Sequence, residues 1–257
     1  VLSRFRLDGQ NAVVTGGSRN MGRAIALAFA EAGADVAVMD LPSMAETAGR
    51  TVAELEARGR RARFVPLDVR DVEAIPGAID EIAAAFGPIH VLVNNAGKTD
   101  DVNTPFLDYE PGVFDGHHQV MVRGTFFVSQ VVASHMIERG TRGAIVHVSS
   151  RVGVQPARNA SAYCIAKAAI AHMTRLMALE LGPHGIRVNA IGPGPVPRPE
   201  AARGPASGRP AVPFLLGRDL QFEDVPGTVL YLASDASSMV TGQLVVIDGG
   251  LGLQPPV

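Results

Sequence analysis

Short, nearly unbroken apolar runs recur along this chain at Asn11–Thr15, Asp35–Met39, Ala62–Pro66, His90–Val93, Ala144–His147, Arg187–Ile191 and Leu244–Ile247. Runs of this kind, rich in β-branched residues and lacking strict polar alternation, predict strands covered on both faces. Between them apolar positions return with a helical period, predicting helices over Arg23–Ala32, Met44–Arg58, Val72–Ala85, Phe114–Ile137, Ser161–Leu181 and Phe222–Ala233. The segment 193–218 has neither period and is dense in proline, glycine and arginine. A loop of that length in a compact domain predicts a lid over a substrate.

Strand and helix in alternation read as βαβ units that build a parallel sheet with helices on both sides. The expected fold is therefore α/β, a Rossmann-type doubly wound parallel sheet in a three-layer α/β/α sandwich. Residues 1–257 are read as one dinucleotide-binding catalytic domain with its lid at about 193–218. An apolar content of 47% in 257 residues supplies the core for it.

Charge and composition narrow the partners. A net charge of −2 offers no basic field to gather nucleic acid or an anionic membrane, so neither is expected. Cys164 stands alone and forms no internal disulfide, and VLSRFRLDGQ lacks the apolar core of a secretion signal. No stretch is apolar enough throughout to predict a membrane span. These features give a soluble cytoplasmic protein as the expectation. The seven histidines show no zinc-motif spacing, and no metal site is expected.

The candidate chemistry lies at strand ends. After the first strand comes Thr15-Gly16-Gly17-Ser18-Arg19-Asn20-Met21-Gly22, leading straight into a helix. Glycines there let the backbone turn and approach a pyrophosphate, which the positive end of the helix then holds. Asn20 stands where such turns often carry glycine and tolerates the left-handed conformation. Asp40, followed by Leu41, ends the second strand at the spacing where a carboxylate accepts hydrogen bonds from a ribose. Its charge repels a 2′-phosphate and favours NAD over NADP; Arg19, beside the same pocket, pulls the other way.

Tyr163 and Lys167 are four residues apart on a predicted helix and so share a face. An ammonium beside a phenol favours the phenolate and equips the tyrosine as a general acid or base. With only Lys98 and Lys167 in the chain, chance seldom produces this spacing. Ser150 ends the strand just before that helix, where open parallel sheets present their ligands. The alternatives are a packed tyrosine, a solvated lysine and an ordinary strand-end serine. For Asp40 the alternative is a solvated carboxylate, and for Cys164 it is a small buried apolar residue.

Taken together these features resemble the short-chain dehydrogenase/reductase family. The motifs stand in family order: the Thr15 to Gly22 turn, Asp68-Val69, Asn94-Asn95-Ala96-Gly97, Ser150 before Tyr163 and Lys167, Asn189, Pro193-Gly194, and Thr241-Gly242-Gln243 through Asp248-Gly249-Gly250. The resemblance implies a nicotinamide-dependent oxidoreductase acting on a ketone or secondary alcohol. It implies that Ser150 orients the substrate oxygen, Tyr163 exchanges the proton, and Lys167 holds the nicotinamide ribose and acidifies the tyrosine. Asp68 and Val69 would line the adenine, Asn94, Ala96 and Gly97 the adjoining ribose, and Pro193, Gly194 and Val196 the nicotinamide.

Two departures stand out. Met121 occupies the place of an asparagine that in the family helps hold a proton-relaying water, and a thioether is a poor hydrogen-bond partner. His118, one turn earlier, is a candidate substitute; its alternative is a packed or solvated surface histidine. Arg198 replaces a threonine after Pro193-Gly194, and Arg203 and Arg209 follow on the lid. These departures keep open a non-redox reaction, dehydration or isomerisation, or a role in sensing the cofactor. The apolar residues on more than one face of Ala166–Leu181 predict a homo-oligomer, tetramer or dimer, and the family resemblance implies the fourth and fifth helices at the contact.

Overall fold

The computed structural model describes residues 1–99, 103–196 and 214–253. Seven strands, β1 Asn11–Thr15, β2 Asp35–Asp40, β3 Ala62–Pro66, β4 Val91–Asn94, β5 Ala144–Val148, β6 Arg187–Pro193 and β7 Leu244–Ile247, form one sheet in the order β3-β2-β1-β4-β5-β6-β7. Every neighbouring pair is parallel. Side chains alternate across such a sheet. Ala12, Val14, Val36, Val38, Val91 and Val93 meet α1 (Asn20–Glu31), α2 (Ala45–Glu56) and α7 (Pro226–Ala233) on one face. Val13, Ala37, Met39, Leu92, Ile145 and Val188 meet α3 (Ile75–Phe86), α5 (Thr125–Glu138) and α6 (Ser161–Leu181) on the other. The doubly wound three-layer expectation is borne out.

Strand order reverses between β1 and β4, so their carboxyl ends diverge and open a crevice. Asn95 bridges it: its Nδ2 donates to the carbonyls of Thr15 (3.0 Å) and Gly16 (2.9 Å). Thr15 Oγ1 accepts in return from the backbone N–H groups of Asn95 and Ala96, each at 3.0 Å.

Several elements differ from expectation, among them the following. The helix predicted over Phe114–Ile137 is a 28-residue rod, Pro111–Glu138, made of α4 (Pro111–His118), a π-helical segment Gln119–Gly124, and α5. The extra residue in a π turn does not disturb apolar spacing enough to be read from sequence. By length and hydropathy the rod could cross a bilayer, yet half of its apolar window is buried inside the fold. The helix predicted over Phe222–Ala233 is a 3-10 turn, Phe222–Asp224, followed by α7, because Pro226 suits only the first turn of a helix. β6 runs two residues beyond Ile191 and pairs Pro193 with Ile247. Of the expected lid, 197–213 lies outside the described residues, and with it Arg198, Arg203 and Arg209.

Beneath the carboxyl ends of β4 and β5 lies a buried polar network. Asn94 Nδ2 donates to Ser129 Oγ (2.8 Å), which donates to the Thr125 carbonyl (2.7 Å); Thr174 Oγ1 donates to the Ile170 carbonyl (2.8 Å). His147 sits between the two hydroxyls, Nε2 3.2 Å from Ser129 and Nδ1 3.0 Å from Thr174. A neutral imidazole has one N–H, so one hydroxyl must turn its proton to the ring. Burial pushes the His147 pKa down to about 4. Between that value and the ordinary one near 6.5 the unfolded chain binds a proton that the folded chain refuses, so stability falls as pH falls through this window. Wild type should lose about 2 kcal/mol between about pH 7 and pH 5 that a His147→Gln variant keeps, read by urea unfolding at both pH values.

Candidate active site

The turn after β1 is built around steric necessity. A Cβ on Gly22 would collide with the Gly16 carbonyl oxygen and lie 2.6 Å from Asn95 Nδ2, so only glycine lets α1 start this close to the turn. Gly16 takes φ +62° and Asn20 φ +50°, the left-handed region expected of them. Arg19 is exposed in extended conformation at the N-cap, Ser18 is buried, and Met21 packs partly into the core. The result is a cradle of backbone at a helix N-terminus, which fits a pyrophosphate.

Asp40, at the end of β2, folds back onto this turn. Its Oδ2 accepts from the Ser18 N–H (3.2 Å) and, closely, from the Ser18 hydroxyl, and its Oδ1 accepts from the Leu41 N–H (2.9 Å). Thr51 Oγ1 donates to the Ser18 carbonyl from α2 (2.8 Å) and locks the arrangement. Asp68 is held by Arg70 at 2.5 Å, and that contact keeps its carboxyl below the usual range. Asn94, expected beside the ribose, is buried, and its Nδ2 donates to Ser129 Oγ inside the core.

Val69, next to Asp68, fixes the π segment. A Cβ on Gly124 would lie 2.8 Å from Val69 Cγ2 and 3.0 Å from the Val69 carbonyl oxygen. Gly124→Ala therefore should push the rod off Val69 and weaken dinucleotide binding about tenfold while the protein still folds. Titration of reduced-nicotinamide fluorescence checks it.

Ser150, Tyr163 and Lys167 gather at the ends of β5 and β6. Ser150 Oγ donates to the Pro193 carbonyl and accepts from the Val152 N–H, both at 3.3 Å, long bonds that a better partner would displace cheaply. Lys167 is buried, with Nζ donating to the Val148 carbonyl (2.7 Å) and lying 5.5 Å from the Tyr163 ring centroid. Burial lowers its pKa to about 8. Ser149 Oγ donates to the Lys167 carbonyl (2.8 Å), tying α6 to β5. A Cβ on Gly97 would stand 4.0 Å from both Lys167 Nζ and Met121 Sδ, so the thioether and the ammonium flank the same backbone. Gly194 N donates to the Ile247 carbonyl (2.8 Å), and Val196 ends the described stretch half-buried.

His118 is not the histidine of this site. It stacks on Phe114 at 4.1 Å and bonds the Phe114 carbonyl, on the outer side of the rod. His117 is instead fully buried, its ring 6.2 Å from that of Tyr163 at 76°. Met121 is buried in a cluster with Ala166 and Ile170, and Tyr163 packs against that cluster. Sequence reasoning missed His117 and the clamp by Asn95; the spacing of four between His117 and Met121 was the available signal for the first.

A family model described as enoyl-(acyl carrier protein) reductase matches residues 16–252. The chain is 38% identical over 253 residues to L-xylulose reductase of Bos taurus, covering 96% of this chain and 98% of the relative. It belongs to the short-chain dehydrogenase/reductase family. Another relative, L-2,3-butanediol dehydrogenase of Corynebacterium glutamicum, is 37% identical, covering 93% of this chain and 97% of that one. The crystal structure of a gluconate 5-dehydrogenase from Burkholderia cenocepacia J2315, in complex with NADP and tartrate, superposes with a TM-score of 0.90 at 32% identity and 99% coverage of both chains. This short-chain dehydrogenase/reductase is an oxidoreductase that transfers hydride between a nicotinamide cofactor and a ketone or secondary alcohol.

Proposed function

We propose that this enzyme interconverts a small α-hydroxy ketone and the corresponding vicinal diol, with NAD as its preferred cofactor and Tyr163 as the general acid and base. The observation that carries the reading is the packing of Lys167 Nζ over the Tyr163 ring, 5.5 Å from its centroid, next to a strand end that presents Ser150. Xylulose, the butanediols and gluconate oxidised at carbon 5 share a carbonyl or carbinol flanked by an oxygenated carbon, which supports the substrate class.

The cradle of Gly16, Gly22 and Asp40, with Lys167 and the backbone of Gly194, would hold the dinucleotide. Bound there, its nicotinamide supplies or takes up the hydride. For reduction, Ser150 turns its hydroxyl from Pro193 to the substrate oxygen, and Tyr163 gives its proton to that oxygen. Lys167, charged below about pH 8, stabilises the phenolate left behind, which recovers its proton from solvent. Asp40 supports NAD, since its carboxylate occupies the region a 2′-phosphate would need.

Exposed Ile165 and Leu179 on α6, and an open apolar groove of about 320 Å³ lined by Val122, Phe126 and Phe127, support a homo-oligomer, dimer or tetramer, closed through these helices. A single cysteine suits the reducing cytoplasm.

The test is oxidation of NADH or NADPH in the presence of acetoin, L-xylulose and a 3-oxoacyl thioester. Turnover of acetoin or L-xylulose with NADH is expected. Turnover of the thioester alone would replace the substrate class, and a preference for NADPH would overturn the role of Asp40. Light scattering reads the oligomer.

A further inference from the structure

We propose that His117 is a positioning residue for the reactive phenol: its imidazole, edge-on to the Tyr163 ring, holds that ring where Lys167 acts on it. The inference rests on the reading of Tyr163 as the acid and base. His117 is 0% exposed, its imidazole packed inside the fold where α4 meets α6. Its ring lies 6.2 Å from that of Tyr163 at 76°, the edge-to-face arrangement that aromatic pairs prefer. Met121, also 0% exposed, stands one turn further along the same rod and belongs to the buried cluster, with Ala166 and Ile170, against which Tyr163 packs. Tyr163 is thus flanked by the rod on one part of its surface and by Lys167 of its own helix on another.

The π segment Gln119–Gly124 follows immediately and anchors the rod by the close approach of Gly124 to Val69. That anchor fixes the rotation at which His117, rather than His118, faces α6. The charged and titratable groups around this contact are Lys167 on α6, Lys98, whose Cε lies 3.4 Å from where a Gly116 Cβ would stand, and His118 and Asp115 toward the outer groove.

His117→Leu keeps the volume and removes the planar edge, and His117→Gln restores a planar polar group. Titration of the Tyr163 hydroxyl, followed by NMR of tyrosine labelled at Cζ and assigned with Tyr163→Phe, needs no substrate; the chain has three tyrosines. With His117→Leu the midpoint should rise by about one pH unit as the ring drifts from Lys167. In the acetoin assay kcat should fall about tenfold with KM within about twofold, and His117→Gln should recover kcat to within about threefold. A leucine variant with wild-type midpoint and kcat overturns the proposal. If that variant does not fold, His117→Met takes its place: a midpoint raised by about one unit supports the proposal, and a wild-type midpoint overturns it. Tyr163→Phe separates the two readings: full turnover there sinks the assignment of Tyr163, whereas its loss beside a silent His117→Leu sinks only this inference.

Discussion

Tyr163→Phe should lower kcat by about two to four orders of magnitude while leaving cofactor affinity and melting temperature close to wild type. The ring contacts to Lys167 at 5.5 Å and to His117 at 6.2 Å involve the aromatic carbons, which phenylalanine keeps. Only the hydroxyl is lost, and with it the group that exchanges a proton with the substrate oxygen. Ser150 cannot replace it, because a serine hydroxyl is far too weak an acid at neutral pH, and its hydroxyl is bonded to the Pro193 carbonyl and the Val152 N–H, neither of which is a general base. The uncatalysed proton must then come from water, and the expected loss is what general acid catalysis contributes. Steady-state kinetics with acetoin, together with fluorescence titration of reduced nicotinamide, reads both halves. Turnover within a factor of about ten of wild type would contradict the role given to the phenol.

Much of this site was legible because its parts sit at the ends of strands, and strands buried on both faces announce themselves as apolar runs. Asn11–Thr15, buried throughout, begins and ends where its apolar run does, and so do the partly exposed edge strands Ala62–Pro66 and Leu244–Ile247. The glycine turn was equally legible, since a Cβ at Gly22 has nowhere to go. What escaped was rotation. The apolar period along Phe114–Ile137 predicts one regular helix, and on a regular helix His118 and His117 are equally fair neighbours of Met121, three and four residues away. The π segment admits more residues per turn, and with Gly124 seated on Val69 it turns His117 inward and His118 out onto Phe114. The inward bond of Asn94 was not legible either: a strand-end asparagine can face ligand or core, and the position of Ser129 on α5 gives its Nδ2 a core partner.

Lys167→Met should disable the enzyme and at the same time make the cofactor-free protein more stable. The ammonium is buried with a carbonyl partner at 2.7 Å and has no carboxylate partner among the described residues. Burial brings its pKa from the ordinary 10.5 to about 8. Below about pH 8 the lysine is charged in both folded and unfolded chains, so the cost of burying the charge is present in full. Between about 8 and 10.5 the unfolded chain holds a proton that the folded one has released, so stability rises with pH until the cost is gone. A shift of this size corresponds to about 3 kcal/mol, and methionine, which fills similar space, escapes it. The Val148 carbonyl left without its donor takes back about 1 kcal/mol, for a net gain near 2 kcal/mol at neutral pH. Urea unfolding of the cofactor-free proteins at about pH 7 and pH 10 reads the difference: the wild type should approach the variant as pH rises. A variant less stable than wild type at neutral pH would mean that the lysine is better compensated than its contacts indicate. Stability surrendered at this position is what keeps a positive charge beside the phenol with little screening by water, where its influence on a phenolate is strong.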